Sequence, residues 1–276
     1  MKDGDPCGTR PWSGGAGRGE LSHHALDNRY DGSGKPGTRG RVRFSPTCAA
    51  FIVIHSRCLL GLTPEERKID LPMVWLLIVV LSYFIGSIPW GYLFARRKGI
   101  DIRQQGSGNI GAANAARVMG KSWGYLVFVC DFLKGVLSVE LGSLLAAYFS
   151  ANVVLGGVVA GIACVLGHDY TIWLRFKGGK GIATLAGAAL ALLPLLFISF
   201  GVTWVAVFFI GRYTSLASIC GVLAMPIAVA IFVGKTDPAF SLLLVFSISM
   251  AALAIWRHRS NIVRLLNGTE NRFRKK

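Results

Sequence analysis

The chain has 276 residues, of which 53% are hydrophobic and only 16% charged, and its mean hydropathy is +0.51. That balance excludes an ordinary water-soluble domain and points to membrane spans. The formal net charge of +16 does not indicate a nucleic-acid binder, because the Lys and Arg residues sit between apolar runs instead of lining one face of a soluble fold.

The first 72 residues are rich in Gly, Arg, Pro and Ser, as in Arg10-Pro-Trp-Ser-Gly-Gly-Ala-Gly-Arg-Gly, and show no sustained periodicity, which reads as a disordered extension. The apolar stretch 49–62 is interrupted by His55 and Arg57 and is too short to span. No n-region, h-region and cleavage-site sequence is present, so no signal peptide is expected. The extension is either a flexible tail or translated upstream sequence with the true start at Met73, and the topology below favours the second.

An uncharged run from Met73 to Ala95 is long enough to cross a bilayer core of about 30 Å. Gly86, Pro89 and Gly91 are expected to kink it or to bring a neighbour close. Further candidate spans are 123–149, 153–166, 182–193, 195–211, 216–233 and 238–256. The stretch 182–211 reads either as one helix kinked at Pro194 or as two short helices turning there. Orientation follows the Lys/Arg bias of short loops. With seven spans, Arg96, Arg97, Lys98, Arg103, Arg117, Lys121, Arg175, Lys177, Lys180, Arg212 and the basic tail share one side, and the other side holds only Lys235. Seven spans with a cytoplasmic C-terminus and an extracytoplasmic N-terminus are therefore expected. The basic extension would then have to be translocated without a signal, which is the reason for suspecting a start at Met73. The six cysteines include no C-x-x-C pair and are read as packing residues.

The first loop, Gly106-Ser-Gly-Asn-Ile-Gly-Ala-Ala-Asn-Ala-Ala-Arg117, contains a literal G-x-G-x-x-G, and Asp131 follows twenty positions after Gly111. A dinucleotide fold needs a strand before the glycines and a second strand carrying the acid, whereas Asp131 lies inside an apolar span. Two readings remain: a solvated glycine-rich turn, or an anion cradle. In the cradle, convergent backbone N–H groups and a helix N-terminus are joined by the Ser107 hydroxyl and by Asn109, Asn114 and Arg117 as donors.

The second loop, expected from Gly167 to Thr184, ends in Lys177-Gly-Gly-Lys-Gly181. It fails as a P-loop, because position 174 is Leu and Lys180 is followed by Gly181. Lys177 and Lys180 among glycines at the start of a membrane helix suit a phosphate; the plainer alternative is a topology anchor. In the last segment, His258 and Asn261 are three apart and share a face if the helix continues. His258 is either a phosphate donor, a proton acceptor or an anchor residue. Asp131 and Lys134, spaced i, i+3 in the second span, are expected to form an intrahelical pair.

Together GSGNIGAANAAR, GHDYTIWLRFKGGKGIAT and RHRSNIVRLLNGTE resemble the bacterial membrane glycerol-3-phosphate acyltransferases that use acyl phosphate, the PlsY family, over Met73 to about Glu270. The resemblance implies an all-α, seven-helix multi-pass protein of the bacterial inner membrane. Its substrates would be acyl phosphate and glycerol 3-phosphate, with no nucleotide or nucleic acid as partner and with neither cofactor nor metal. It implies that Ser107, Arg117, Lys180 and His258 bind the phosphate-bearing substrates, with Asn109, Gly178, Gly179 and Asn261 completing the site and Ser215 a further member. Ser107, Lys180, His258 and Asn261 would be the catalytic set. Thr171 departs from the proline frequent in the family and is expected to alter loop stiffness. The H-x-x-x-x-D pattern of thioester-using acyltransferases is absent: Trp173 stands five after His168, and Val263 five after His258. A transporter of phosphorylated solutes is the competing class, but such sites lie near the midplane, often within internal repeats, and neither feature is evident here.

Overall fold

The computed structural model describes residues 71–273. The expectations for the extension, apart from Leu71 and Pro72, lie outside the described residues, as does the end of the basic tail. Every regular element among the described residues is helical: α1 (Leu71–Ser87), α2 (Trp90–Arg97), α3 (Ala112–Met119), α4 (Lys121–Tyr148), α5 (Val153–Asp169), α6 (Ile182–Leu192), α7 (Pro194–Gly211), α8 (Thr214–Phe232), α9 (Phe240–Arg257) and α10 (Arg259–Leu266), with 3₁₀ turns at Ile102–Gln104 and Ile172–Leu174.

Five segments are long and apolar enough to cross a membrane: Leu71–Arg97, which contains both α1 and α2, then Val153–Leu174, Pro194–Gly211, Thr214–Phe232 and Phe240–Arg257. Helix α6 is apolar but shorter. Helix α4 has 28 residues, ample for a bilayer, but carries Asp131, Lys134 and Glu140 along its length. Large apolar side chains such as Leu76, Val202, Ile210, Ile227 and Val245 lie exposed on the outside of the bundle. An acyl-chain solvent accepts that surface and water does not.

The expected kink in the first span is a complete break. Pro89 has no N–H to continue the helical ladder, and the chain resumes as α2 at Trp90. The stretch 182–211 is two helices: Leu193 takes an extended conformation (φ −161°, ψ 117°), as the residue before a proline prefers, and Pro194 starts α7 at the position where a missing N–H costs nothing. Helix α6 packs on α4 and α7 on α8. Pro226 is accommodated inside α8.

Without a hydrophobic force between helices in lipid, close backbone approach is what brings them together. Gly142 of α4 and Gly156 of α5 meet reciprocally: a Cβ on either would stand 2.6 Å from the other's carbonyl oxygen. Gly135 and Gly187 do the same for α4 and α6, at 2.1 Å from Thr184 O and 2.0 Å from Phe132 O. Leu185, Leu196, Val222, Met225, Val229, Leu243 and Phe246 fill the main core.

Candidate active site

The first motif folds as a turn that its own side chains hold. The Asn114 amide donates to the carbonyls of Ile102 (3.3 Å), Gln105 (3.0 Å) and Asn109 (2.8 Å), and its Oδ1 accepts from Ser107 N–H at 2.8 Å. That corrects the expectation of Asn114 as an anion donor, since its hydrogen-bonding capacity is spent on the loop. Asn109 Oδ1 accepts from Gly111 N–H at 2.7 Å, so its acceptor shapes the entry to α3. Gly106 and Gly108 sit at φ +60° and +71°, where a side chain is disfavoured. The Ser107 side chain is exposed, and Arg117 projects from the last turn of α3 with its guanidinium 4.6 Å from the Phe273 ring.

The second motif starts later than expected. Helix α5 continues through Gly167 and His168 to Asp169, burying both polar side chains, and the loop proper begins at Tyr170. The loop then returns to the end of α5: Gly178 N–H donates to Asp169 O (3.2 Å) and Gly179 N–H to His168 O (3.0 Å). From above, Arg257 at the end of α9 donates to the carbonyls of Gly179 (2.6 Å) and Gly178 (3.4 Å), lies over the Tyr170 ring and approaches Asp169 at 3.7 Å. From below, the Thr171 hydroxyl donates to Ser87 O at 2.6 Å, one of the carbonyls freed by the break in the first span. Thr171 therefore adds a hydrogen bond that the expectation of altered stiffness did not include. Gly181, at φ +68°, turns the chain into α6 and caps it without a side chain, so the first amides of that helix have no side-chain cap from Gly181.

The third motif meets the second. The chain bends at His258 instead of continuing as one helix, yet His258 and Asn261 are both turned inward, with 3% and 6% of their surfaces exposed. Lys180 Nζ donates to Asn261 Oδ1, and Asn261 Nδ2 donates to Glu270 Oε1 at 2.6 Å. The same carboxylate accepts from the Ser215 hydroxyl at the start of α8 (2.7 Å) and from Arg264 Nε (2.8 Å). The structure thus joins Lys180, Asn261 and Ser215 through Glu270. Gly178 and Gly179 are held by Arg257, whose charge is felt by Lys180 and His258 without a bond to that cluster. The structure shows no direct bond from Ser107 or Asn109 to that cluster.

Electrostatics follow from this crowding of cations. Burial, with Arg264, Arg257 and Arg117 nearby, brings the Lys180 ammonium down to about 8. Burial and the Lys180 charge push His258 down to about 4, so the imidazole is neutral at pH 7. Its Nδ1 lies 2.7 Å from Ala254 O, which can only accept, so Nδ1 carries the proton and Nε2 is left as an acceptor. Burial also lowers Arg117 from its usual range. Burial opposes ionisation of Glu270, but hydrogen bonds from Asn261, Ser215 and Arg264 outweigh it and keep the carboxyl below its ordinary value.

Sequence reading gave Glu270 and Arg257 no role. Glu270 was legible as the one acid in the third motif, beside three arginines and a histidine. Arg257 resembled an anchor because its targets are backbone carbonyls nearly eighty residues away.

A family profile described as glycerol-3-phosphate acyltransferase matches residues 76–268. The chain is 43% identical over 195 residues to a glycerol-3-phosphate acyltransferase of Desulforamulus reducens, covering 70% of this chain and 92% of that protein. It is 40% identical over 198 residues to one of Aquifex aeolicus, covering 72% and 98%. A crystal structure of PlsY, an integral membrane glycerol 3-phosphate acyltransferase, in its glycerol 3-phosphate form is similar with TM-score 0.65 and 38% identity, over 72% of this chain and 96% of that one. The lysophosphatidic acid form of PlsY is similar with TM-score 0.62. With three motifs folded against one another at the ends of apolar helices, and with matches over most of each relative's length, the chain belongs to the glycerol-3-phosphate acyltransferase family of integral membrane enzymes, the PlsY family.

Proposed function

We propose that the protein transfers an acyl group from acyl phosphate to the 1-hydroxyl of glycerol 3-phosphate, releasing lysophosphatidic acid and inorganic phosphate as the first step of phospholipid synthesis. The observation that carries this reading is the meeting of Lys180, Asn261 and His258 beside the first amides of α6, with Arg117, Arg257 and Arg264 around them. Such a cluster suits two phosphate-bearing molecules and a transition state that gathers negative charge.

In this reading Lys180, Arg117, Ser107 and the α6 amides hold phosphate oxygens, with Asn109, Gly178, Gly179 and Ser215 completing the cradle. The glycerol hydroxyl attacks the acyl carbonyl carbon, the new ester C–O bond forms, and the bond between the acyl carbon and the phosphate oxygen breaks. Acyl phosphate brings its own leaving group, so no covalent enzyme intermediate is required. His258 Nε2 accepts a hydrogen bond from the attacking hydroxyl and orients it. An imidazole held near 4 is a weak base, so the proton goes to an oxygen of the departing phosphate, which leaves as hydrogen phosphate.

The protein crosses the inner membrane seven times, with α4 and α6 joining the five longer spans, its N-terminus outside and this site on the cytoplasmic face. That orientation is supported by the gathering of Lys and Arg on one side. The test is turnover by purified protein of glycerol 3-phosphate with acyl phosphate or with an acyl thioester, reading phosphate release and lysophosphatidic acid. Product from acyl phosphate alone is expected. Product from the thioester alone would overturn the donor assignment, and no product from either would overturn the reaction.

A further inference from the structure

Away from the reacting groups, the bundle interior holds a charged cluster that the proposed mechanism does not use. Lys134 of α4 is 3% exposed. Its Nζ lies 2.8 Å from Asp131 Oδ1, an ion pair whose angle leaves that oxygen without a formal hydrogen bond. The same Nζ donates to Ile88 O at 3.1 Å, at the break between α1 and α2, and lies 2.8 Å from His168 Nδ1 of α5. An ammonium has only donors, so His168 Nδ1 is the acceptor and the ring proton sits on Nε2. That Nε2 edge faces Gly179: a Cβ there would stand 2.0 Å from Nε2 and under 3 Å from two further ring atoms. The Gly178–Lys180 loop therefore rests directly on the imidazole that Lys134 fixes.

We propose that Lys134 is a positioning residue for acyl transfer: it ties the break of the first span, the α4 carboxylate and the His168 ring into one unit, and that ring sets the height of the Gly178–Lys180 loop. An ion pair serving only to hold helices would need no third and fourth partner. An ammonium inside a membrane bundle is costly and is retained where its partners repay the desolvation. Here the partners come from three different helical segments, and each has its own reason to need a donor. Ile88 O, at the Pro89 break, accepts only an i+2 bond from Trp90 N–H at 3.2 Å and has a second lone pair for Lys134, Asp131 is a buried carboxylate, and His168 must have a fixed tautomer and plane if the loop stacked on it is to keep one position. Backbone bonds from the Gly178 and Gly179 N–H groups to the Asp169 and His168 carbonyls hold the loop to the end of α5, Arg257 on the Gly178 and Gly179 carbonyls and Thr171 on Ser87 O hold its other sides, and the imidazole forms its floor. The proposal rests on the proposed function, in which that loop holds phosphate, and takes that phosphate to be the one of glycerol 3-phosphate.

The decisive variant removes both charges together, Asp131→Asn with Lys134→Met, so that no uncompensated charge is left in the bundle. In protein that remains folded by its thermal midpoint, KM for glycerol 3-phosphate is expected to rise about tenfold or more, since small misplacement of a binding loop is enough for that. His168→Ala is expected to raise it similarly, and the combination to do no more than either, because all act through one ring. An unchanged KM in the charge-free variant, or effects that multiply when combined, overturns the proposal. If the charge-free variant does not fold, His168→Ala, which leaves the ion pair intact, carries the test: an unchanged KM overturns the proposal. Absence of product from the wild-type protein instead sinks the functional reading itself, a result distinct from an active wild type with variants that match it.

Discussion

Gly179→Ala turns the geometry of the loop into a number. The added Cβ would meet His168 Nε2 at 2.0 Å, with Cδ2 at 2.8 Å and Cε1 at 2.9 Å. Three ring atoms crowd it at once, so no small rotation relieves the overlap, and the ring is tethered to Lys134. Restoring an ordinary contact of 3.4 Å to Nε2 requires the loop to lift by about 1.4 Å. The Gly179 carbonyl, held by Arg257 at 2.6 Å, must move with it, and Lys180 is the next residue. Displacing a substrate-binding group by about 1 Å costs on the order of a hundredfold in rate, or about 2.7 kcal/mol of transition-state stabilisation. The assay is kcat/KM for glycerol 3-phosphate at saturating acyl phosphate, with the thermal midpoint recorded in parallel to exclude unfolding. A folded Gly179→Ala protein within threefold of wild type would refute the claim that the imidazole fixes the loop.

Four further outcomes follow from the same structure. Lys180 binds phosphate only while protonated and is held near 8, so kcat/KM falls as pH rises through about 8; Lys180→Arg moves that alkaline limb upward, and a limb unmoved in a pH–rate profile would exclude Lys180 as its source. Glu270→Ala removes the acceptor shared by Ser215, Asn261 and Arg264 and is expected to cost about 3 kcal/mol, read as a lower thermal midpoint. Because the folded-state value of Glu270 is lowered, its contribution is present above the ordinary glutamate range and disappears as pH falls through the folded value. Arg175 occupies φ +54°, so Arg175→Gly relieves left-handed strain and is expected to gain about 1 kcal/mol in unfolding with little change in turnover. Finally, expression of residues 73–276 is expected to give full activity in the same assay, and a loss would assign the first 72 residues a role.

What the sequence by itself determined is what a bilayer demands locally. A spanning helix needs a long apolar run, and those runs survive as α1 with α2 and as α4 to α9, nearly where hydropathy puts them. Pro89 and Pro194 mark real breaks because a missing N–H or a restricted preceding residue acts locally, whereas Pro226 stays inside α8 where its neighbours accommodate it. The three motifs were legible for the same reason: glycines that must turn, and a lysine set at a helix start, are local facts. Tertiary structure decided which polar groups remain free to act, because that depends on partners far away in the chain. Asn114 has the look of a phosphate donor, but three carbonyls of its own loop consume its amide. Arg257 and Glu270 pass for anchor and tail until the loop carbonyls and the Asn261 amide are brought to them. The pairing of Asp131 with Lys134 was visible as an i, i+3 spacing, whereas His168 and Ile88 join that pair only across the bundle. A buried donor or acceptor must find some partner, and sequence spacing can name that partner only when it lies on the same helix.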